Sequence, residues 1–336
     1  MTKCTNMWRG GMQYIIGVDG GGSQTCAVLV DNQGRVLGIG RSGSANHQTV
    51  GLSKALKSIR TAIRSALAQA KVKSDAVTYV QYCLAGADRE KDFEKLRIGL
   101  SSLPYRSWGV VSDAWEGLRA GTEDNVGVSV VCGTGTNAIG RDPLGNQVQV
   151  GGFGYPFGDA AGGSFLAVEA FRAAVRDWEG RGTPTDLTKR VPNLLALPDM
   201  EAVFNHFLDT EAHIPLDLAL VVHEAATAGD LVSQQLLATM GRELGWAAIA
   251  VLDRLGHWEG LAEIPVILVG SVFQKGRSPF LLEAMAGTVQ SRFAKARLKV
   301  LDVAPVYGAV LLGWDHEMIA PARQLKDELV QWEDWK

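Results

Sequence analysis

Residues 15–25 read IIGVDGGGSQT, an apolar run that ends at an aspartate followed by three consecutive glycines. A second apolar run, CAVLVD at 26–31, follows at once, and a third, RVLGIG at 35–40, comes after the turn sequence NQG. Short apolar runs separated by glycine-rich or asparagine-rich turns are typical of strands in hairpins. The stretch therefore predicts a sheet that begins as an antiparallel meander of three strands.

The order of the later elements indicates that this arrangement occurs twice. An amphipathic helix over 51–71 is predicted from apolar side chains that recur every three or four residues. Each half of the chain then has a strand–turn–strand opening, a glycine turn, and further helices and strands, which predicts a duplicated α/β domain. The other predicted elements are strand 78–86, helix 92–100, strand 108–113, helix 114–121, strands 126–136, 137–142 and 147–153, helices 164–178, 217–228 and 232–255, strand 264–272, helix 279–287, strand 299–303 and helix 306–320.

The glycine turn of the first half has the composition of a phosphate-binding loop. Backbone N–H groups of consecutive glycines can form a nest for an anion, and hydroxyl side chains add donors. Asp19 ends the strand, where one carboxylate can hold Mg²⁺ through water. An ordinary glycine-rich hairpin is the plain alternative, but three glycines and two hydroxyls exceed what a tight turn needs. The candidate phosphate donors are Gly20, Gly21, Gly22, Ser23 and Thr25.

The second half carries a similar sequence at the equivalent turn, GTGT at 133–136. One phosphate loop would be weak evidence, whereas two loops at matching places could clamp a polyphosphate. The candidate donors here are Gly133, Thr134, Gly135 and Thr136.

Asp113 lies where the predicted strand 108–113 meets a helix. Ligands of α/β sheets bind at the carboxyl edge of the strands, so a carboxylate there could accept the proton of a substrate hydroxyl. The alternative is that Ser112 or Asp113 caps the helix, and capping is compatible with catalysis.

Two further segments point to ligand contacts. The first segment, at 151–163, reads GGFGYPFGDAAGG and contains Gly151, Gly152 and Asp159. Asp159 could bind substrate hydroxyls. The alternative is that the segment is only a flexible, glycine-rich entry to the next helix. The buried run that ends at Gly270 and Ser271 could lie against adenine or ribose, although many strand ends look alike.

The composition excludes several classes of protein. The 336 residues carry a net charge of −3, which argues against a duplex-coating nucleic-acid protein. Four scattered cysteines favour a reduced, cytoplasmic protein over a disulfide framework. No apolar run is long enough to span a membrane, and the first 13 residues do not resemble a secretory signal. GIGRSG at 38–43 formally matches a dinucleotide fingerprint, but no helix follows it directly.

Five of these motifs, in this order and spacing, resemble the N-acetylglucosamine kinase-like (BadF/BadG/BcrA/BcrD-type) ATPases of the sugar kinase, actin and heat-shock-protein superfamily. The resemblance rests on IIGVDGGGSQT, VSDA, VVCGTGTNAIG, GGFGYPFGD and ILVGSV. It implies two ribonuclease-H-like (actin-like ATPase) domains, at 14–120 and 121–305, with a nucleotide and sugar cleft between them. A leader at 1–13 would be disordered, and the C-terminal helix region 306–336 would pack back on the first domain.

The resemblance also implies roles for individual residues. Asp19 and the two glycine turns would bind Mg²⁺ and the phosphates of ATP, and 269–271 would contact adenosine. Asp113 would be the general base, and Asn46, which read alone is an Asx turn or helix cap, would contact the sugar with Asp159 and the backbone at Gly151 and Gly152. No nucleic-acid or membrane partner is expected, and a homodimer is compatible with the pattern.

The implied activity is transfer of the γ-phosphoryl group of ATP to the 6-hydroxyl of N-acetylglucosamine or a close relative. The alternatives are a glucosamine or N-acetylmuramic acid kinase, an ATPase of the dehydratase-activator type, and a non-catalytic sugar sensor. The sequence departs from the family at Ala160, where a glutamate is usual, so the preferred sugar stays open.

Overall fold

A computed structural model describes residues 12–320 and 324–331 of the chain. Of the leader expected at 1–13, residues 1–11 lie outside this description. Within the described part of the chain, no helix combines the length and the apolar character needed to cross a membrane. The described residues form two compact units. One contains those up to Ala120 together with those from Val303 onward, and the other contains Gly121–Asp302.

The first unit is built on a five-stranded sheet of order β3-β2-β1-β4-β5. The pairs β1–β2 and β2–β3 are antiparallel, whereas β1–β4 and β4–β5 are parallel. The meander predicted from residues 15–40 is therefore confirmed. The strands are β1 (Tyr14–Gly20), β2 (Gln24–Asp31), β3 (Val36–Gly43), β4 (Val77–Leu84) and β5 (Trp108–Val111), and the helices are α1 (His47–Val50), α2 (Leu52–Ala70), α3 (Glu90–Leu100) and α4 (Asp113–Gly121).

Helices cover this sheet on both faces. Successive side chains of β1 point to opposite faces, so Ile16 packs with Ile59 and Ile63 of α2 while Ile15 packs on the other face. The partner of Ile15 is the C-terminal helix α11 (Val306–Glu317), whose Trp314 is fully buried. A short helix, α12 (Gln324–Gln331), follows. Both termini of the described chain therefore contribute to one core.

The GIGRSG segment at 38–43 lies in β3 and serves packing. A Cβ atom at Gly38 would clash with the carbonyl oxygen of Ala66, and one at Gly40 would clash with that of Ala62. The two glycines thus let α2 lie directly on the strand.

The second unit repeats the topology of the first. Read from its β8 edge, its sheet has the order β8-β7-β6-β9-β10. These are the third, second, first, fourth and fifth strands of the unit, which is the order found in the first unit. The duplicated α/β architecture predicted from the element order is confirmed. The strands are β6 (Gly127–Cys132), β7 (Thr136–Arg141), β8 (Gln147–Val150), β9 (Ile264–Val269) and β10 (Ala296–Val300), and the helices are α5 (Gly163–Trp178), α6 (Leu187–Leu195), α7 (Met200–Thr210), α8 (Leu218–Thr227), α9 (Leu231–Leu255) and α10 (Pro279–Arg292).

Strands β8, β9 and β10 are among those that differ from their predicted bounds. β8 ends at Val150 and β9 at Val269, because the glycines that follow each strand, Gly151 and Gly270, have φ values of 72° and 105°. The left-handed region that glycine favours breaks the ladder at these points. The last strand was predicted at 299–303 and lies at Ala296–Val300, because pairing in register with β9 rather than apolar content sets its bounds.

Helices α6 and α7 lie in a stretch, 179–216, to which the sequence pattern assigned no element. Pro192 lies inside α6, and a proline within a pattern usually marks the end of a helix. Burial of Leu187 and Val191, four residues apart, holds this short helix against the core of the unit.

Candidate functional site

The first glycine turn joins β1 and β2 and is fixed from three sides. The N–H of Gly21 donates to the carbonyl of Gln24 at 2.9 Å, and the N–H of Ala85 donates to the carbonyl of Gly20 at 2.9 Å. The carbonyl of Gly21 accepts from the N–H of Ala45 at 3.2 Å. The turn is therefore held by the chain that follows β3 and by the chain that follows β4.

Two glycines of this turn, Gly20 and Gly22, differ in their surroundings. A Cβ atom at Gly20 would clash with the side chain of Leu84, so packing requires glycine. At Gly22 a Cβ atom would meet no described atom within 4 Å, and the φ of this residue is not positive. Gly22 and Ser23 are exposed, so a ligand could approach the backbone closely here.

Thr25 differs from the other predicted phosphate donors. The residue is fully buried, and its hydroxyl donates to the carbonyl of Gly43 at 2.6 Å. Its hydroxyl hydrogen is thus engaged within the sheet, where it ties β2 to β3 behind the turn.

Asp19 lies in a row of side chains that crosses the sheet. It is directly opposite Cys26 on β2 and Cys83 on β4. Residues opposite each other on neighbouring strands share a face, and both thiols are buried. Burial raises the pKa of Asp19 to about 6, while a hydrogen bond from Glu116 lowers it.

Asp113 begins α4 directly after β5, as the strand–helix junction predicted. The hydroxyl of Ser112 donates to its Oδ1 at 3.3 Å. Burial, together with the negative charges of Asp19 and Asp88, raises the pKa of Asp113 to about 7, and the Ser112 hydrogen bond lowers it. A carboxylate that can gain and lose a proton near neutral pH suits a general base.

Helix α4 is anchored so that its first turn keeps this position. The guanidinium of Arg119 forms two hydrogen bonds with the Asp315 carboxylate of α11, at 2.6 and 3.0 Å. A Cβ atom at Gly308 of α11 would clash with the carbonyl of Glu116, so the two helices touch at this glycine. The contact holds the backbone of α4 at the edge of the sheet.

Two acidic residues near Asp113 were missed by the sequence analysis. Glu116 is 1% exposed and lies one turn after Asp113 on α4, on the same helix face. Asp88 follows β4 and acts electrostatically on Asp113. The spacing of Asp113 and Glu116 was the available signal, but acids in a first helical turn are so common that it did not stand out.

Asn46 caps the short helix α1. Its Oδ1 accepts from the N–H of Gln48 at 3.0 Å, so the cap interpretation holds for this oxygen. Gly86, which has a φ of 82°, packs against the same oxygen, and Gln48 Nε2 donates to the Gly86 carbonyl at 3.1 Å. The Nδ2 amide is the part of Asn46 that could reach a sugar.

The acidic strand edge suits Mg²⁺. Asp19 and Asp113 offer hard oxygen ligands, and their mutual charge raises the pKa of Asp113, an effect that a bound cation would relieve. Among residues 12–320 and 324–331, no group of three or more His, Cys, Asp or Glu side chains is arranged to hold a metal ion. Mg²⁺ that keeps several waters and binds phosphate oxygens needs only one or two carboxylates. The donor set therefore fits such an ion.

The second glycine turn, between β6 and β7, is braced by the start of α5. The N–H of Gly163 donates to the carbonyl of Gly133 at 2.8 Å, and that of Ser164 to the carbonyl of Thr134 at 3.0 Å. The Thr136 hydroxyl donates to the carbonyl of Val131 at 2.9 Å, so it too is engaged within the sheet. Thr134 and Gly135 are exposed.

Other glycines of this unit converge on the same turn. Gly162 has a φ of 95°, and a Cβ atom there would lie 2.9 Å from Gly135. A Cβ atom at Gly270 would clash with the carbonyl of Cys132, where β6 ends. The predicted phosphate and adenosine segments are thus adjacent in this unit. Ser271 is exposed and precedes a π-helical turn, Val272–Gly276.

Asp159 organises the glycine-rich loop that precedes it. Its Oδ2 accepts hydrogen bonds from the N–H groups of Gly152, Phe153 and Gly154, at 3.1, 2.7 and 2.6 Å. Its Oδ1 faces Gly151, where a Cβ atom would lie 2.6 Å away. The carboxylate therefore shapes the loop with one oxygen, which leaves Oδ1 as the oxygen suited to a substrate hydroxyl.

Comparison with known proteins places this chain among ATPases. The model of the BadF/BadG/BcrA/BcrD ATPase family matches residues 16–313. The chain is 30% identical over 305 residues to the N-acetylmuramic acid/N-acetylglucosamine kinase of Clostridium acetobutylicum, covering 90% of this chain and 98% of that protein. It is 26% identical over 313 residues to the N-acetyl-D-glucosamine kinase of Dictyostelium discoideum, covering 89% and 97%.

The fold has a counterpart among solved structures. A candidate N-acetylglucosamine kinase from Chromobacterium violaceum matches with a TM-score of 0.67 at 24% identity, covering 89% of this chain and 98% of that chain. The family resemblance inferred from the motifs is confirmed, since the family model spans most of the sequence. The chain belongs to the BadF/BadG/BcrA/BcrD ATPase family.

Proposed function

We propose that this protein is an ATP-dependent amino-sugar kinase that phosphorylates the 6-hydroxyl of N-acetylglucosamine or a close relative. The observation that carries the proposal is Asp113, a partly exposed carboxyl group at the carboxyl edge of a parallel strand pair, with a pKa raised to about 7. The names of two relatives, both kinases of N-acetylated amino sugars, support the acceptor class.

The residues divide into a nucleotide set and a sugar set. The exposed tips of the two turns, at Gly22–Ser23 and Thr134–Gly135, supply N–H donors to phosphate oxygens, and Gly270 with Ser271 supplies a surface for adenosine. Thr25 and Thr136 support these turns from within the sheets. We assign 14–120, with the helix from residue 306, to the first ribonuclease-H-like domain and 121–305 to the second.

Asp113 acts on the acceptor hydroxyl. In its ionised form it accepts the proton of the 6-hydroxyl while that oxygen attacks the γ-phosphorus of ATP, and the bond to ADP breaks in line. Asn46 Nδ2 and Asp159 Oδ1 hold other groups of the sugar. Mg²⁺, when bound near Asp19, neutralises charge on the phosphates.

The position of Ala160 bears on which sugar is accepted. It follows Asp159 directly, where the family usually has a glutamate, so one carboxylate fewer faces the acceptor. A site with fewer polar groups tolerates substituents more readily. We infer that the protein accepts more than one amino sugar, with N-acetylmuramic acid and glucosamine as the alternatives to test.

The decisive experiment is ADP release from ATP and Mg²⁺ with each sugar in turn. The panel contains N-acetylglucosamine, glucosamine, N-acetylmuramic acid, N-acetylgalactosamine and glucose, tested with wild type, Asp113→Asn and the exposed control Asp75→Asn. Sugar-dependent turnover that Asp113→Asn abolishes and Asp75→Asn retains supports the proposal. Release without sugar dependence would favour a dehydratase-activator ATPase. Nucleotide binding with no turnover would favour a sugar sensor.

The activator alternative makes a different demand on the cysteines. Such an ATPase needs accessible thiolates to hold an iron–sulfur cluster. Cys26, Cys83 and Cys132 are all buried in strands, and burial raises the pKa of each thiol. Iron analysis of the purified protein provides an independent check of this alternative.

A further inference from the structure

The most unusual buried group in the first unit is the side chain of Glu116. It is 1% exposed, so it cannot itself touch a substrate. A buried carboxyl group normally has partners for both oxygens, yet Oε2 of Glu116 has no hydrogen-bond partner among the residues that the structure describes. Such a group costs stability, which suggests that it has a role beyond packing.

The contacts of Glu116 identify that role. Asp19, the residue assigned above to Mg²⁺, lies on the face of β1 that packs against α11, and α11 touches α4 at the Glu116 carbonyl. The carboxyl groups of Asp19 and Glu116 each shift the pKa of the other. Glu116 also raises the pKa of the Cys83 thiol, which is directly opposite Asp19 on β4. Asp19 itself is partly exposed. Glu116 therefore lies behind Asp19, on its buried side, while Asp19 extends to the strand edge.

The backbone of Glu116 is fixed as firmly as its side chain. Gly308 of α11 packs against its carbonyl, and the Arg119–Asp315 pair ties the same helix to α11. A side chain on so constrained a helix turn can hold a partner in one orientation. Positioning groups behind a metal-binding residue commonly fix the direction of its lone pairs.

We propose that Glu116 is a positioning residue that orients the Asp19 carboxyl group toward a Mg²⁺–nucleotide complex. The inference rests on the proposed function, because it assumes that Asp19 serves Mg²⁺. It adds to that function a residue which does not reach the ligand but sets the affinity for the metal-bound nucleotide.

The test measures nucleotide binding at equilibrium, without sugar and without turnover. Calorimetry with the non-hydrolysable analogue AMPPNP, with and without Mg²⁺, gives the factor by which Mg²⁺ strengthens binding. Glu116→Gln keeps a donor for Asp19 and is expected to retain this factor. Glu116→Leu and the shortened Glu116→Asp are expected to lose roughly 10- to 100-fold of it, as for other groups behind a metal ligand.

Leu118→Ala is the matched control, since Leu118 is fully buried on the same helix. It is expected to lower the melting temperature and leave the Mg²⁺ factor unchanged. If Glu116→Leu behaves like this control, the role is structural and the inference is overturned. If Glu116→Leu does not fold, a wild-type Mg²⁺ factor in Glu116→Asp overturns it equally.

The wild-type protein separates this inference from the function on which it rests. No effect of Mg²⁺ on wild-type binding, together with no sugar-dependent turnover, would overturn the kinase proposal as well. A wild type that binds Mg²⁺–AMPPNP and phosphorylates a sugar, with a wild-type Mg²⁺ factor in both Glu116→Leu and Glu116→Asp, would overturn the role of Glu116 alone.

Discussion

The glycine turns of the two units occupy the same place in the same topology but have different surroundings. Each joins the first two strands of a five-stranded sheet whose strand order is identical. The first turn follows Asp19, beside the carboxyl groups of Asp113 and Glu116. The second follows Cys132, and its neighbours are the backbones of Gly162 and Gly270.

This difference shows which properties a duplicated fold keeps. The backbone path is retained in both halves, and with it an exposed turn tip, at Gly22–Ser23 in the first unit and at Thr134–Gly135 in the second. The side chains have diverged, so the carboxyl groups to which we assign cation and proton chemistry, Asp19 and Asp113, both lie in the first unit. The second unit has instead tightly packed glycines that hold its turn in shape.

The largest expected effect is on catalysis, from a substitution among the acidic residues of the first unit. Asp113→Asn removes the proposed general base while preserving its size, and it should lower kcat by about 10²- to 10⁴-fold. KM for the sugar should change far less. Steady-state assays with N-acetylglucosamine measure both constants, and a kcat within a few-fold of wild type would show that Asp113 is not the base.

The second largest effect is on stability, from a substitution among the packed glycines of the second unit. Gly270→Ala places a methyl group against the Cys132 carbonyl at a φ of 105°, which should cost about 1–3 kcal/mol of stability. The control is Gly229→Ala, at a φ of 101°, where no atom of the described part of the chain lies within 4 Å of the added carbon. Thermal unfolding should show a larger loss at Gly270. Equal losses would mean that the close approach to β6 is unimportant.

The third prediction concerns pH. Because the pKa of Asp113 is raised to about 7, the base is protonated below that value, and kcat/KM should fall roughly tenfold per unit of pH on the acid side. The free energy of unfolding should instead decrease as the pH rises. A raised carboxyl pKa means that the folded state binds the proton more tightly, so its contribution is present at low pH and lost as pH rises through 7.

A pH–rate profile and melting curves over the same pH range test whether activity rises while stability falls. The Asp113→Asn protein should lack the acid limb in its residual activity. A wild-type rate that stays level from pH 5 to 8 would contradict the assignment.

The smallest effect compares the two turns directly. Gly22→Ala and Gly133→Ala add a methyl group where residues 12–320 and 324–331 place no atom within 4 Å, so stability should change by less than about 0.5 kcal/mol. Each methyl would stand against an incoming phosphate, and KM for ATP should rise by roughly fivefold, about 1 kcal/mol of overpacking. Gly260→Ala, also open but remote in sequence from both turns, serves as the control. An unchanged KM in either variant would remove that turn from the nucleotide set.

The sequence was most informative where local patterns decide structure. Glycine and asparagine turns between apolar runs were enough to predict the meander, and the strand–helix junction was enough to predict the place of Asp113. Contacts between segments that are distant in the sequence could not be predicted from it. Nothing in the sequence indicates that Asp159 accepts three backbone hydrogen bonds, or that Glu116 lies behind Asp19, because both depend on how separate segments pack. Helix α6 was missed because Pro192 resembles a boundary.

Gly308 and Trp314, which complete the core of the first unit, come from a helix near the end of the sequence. The second unit, by contrast, is one continuous stretch, Gly121–Asp302. During synthesis the ribosome must therefore release the whole second unit before the helix that covers β1 exists. Domains generally fold as units while the chain emerges. The second half of this duplicated protein is thus the first that can finish folding, and the first half can complete its core only after that.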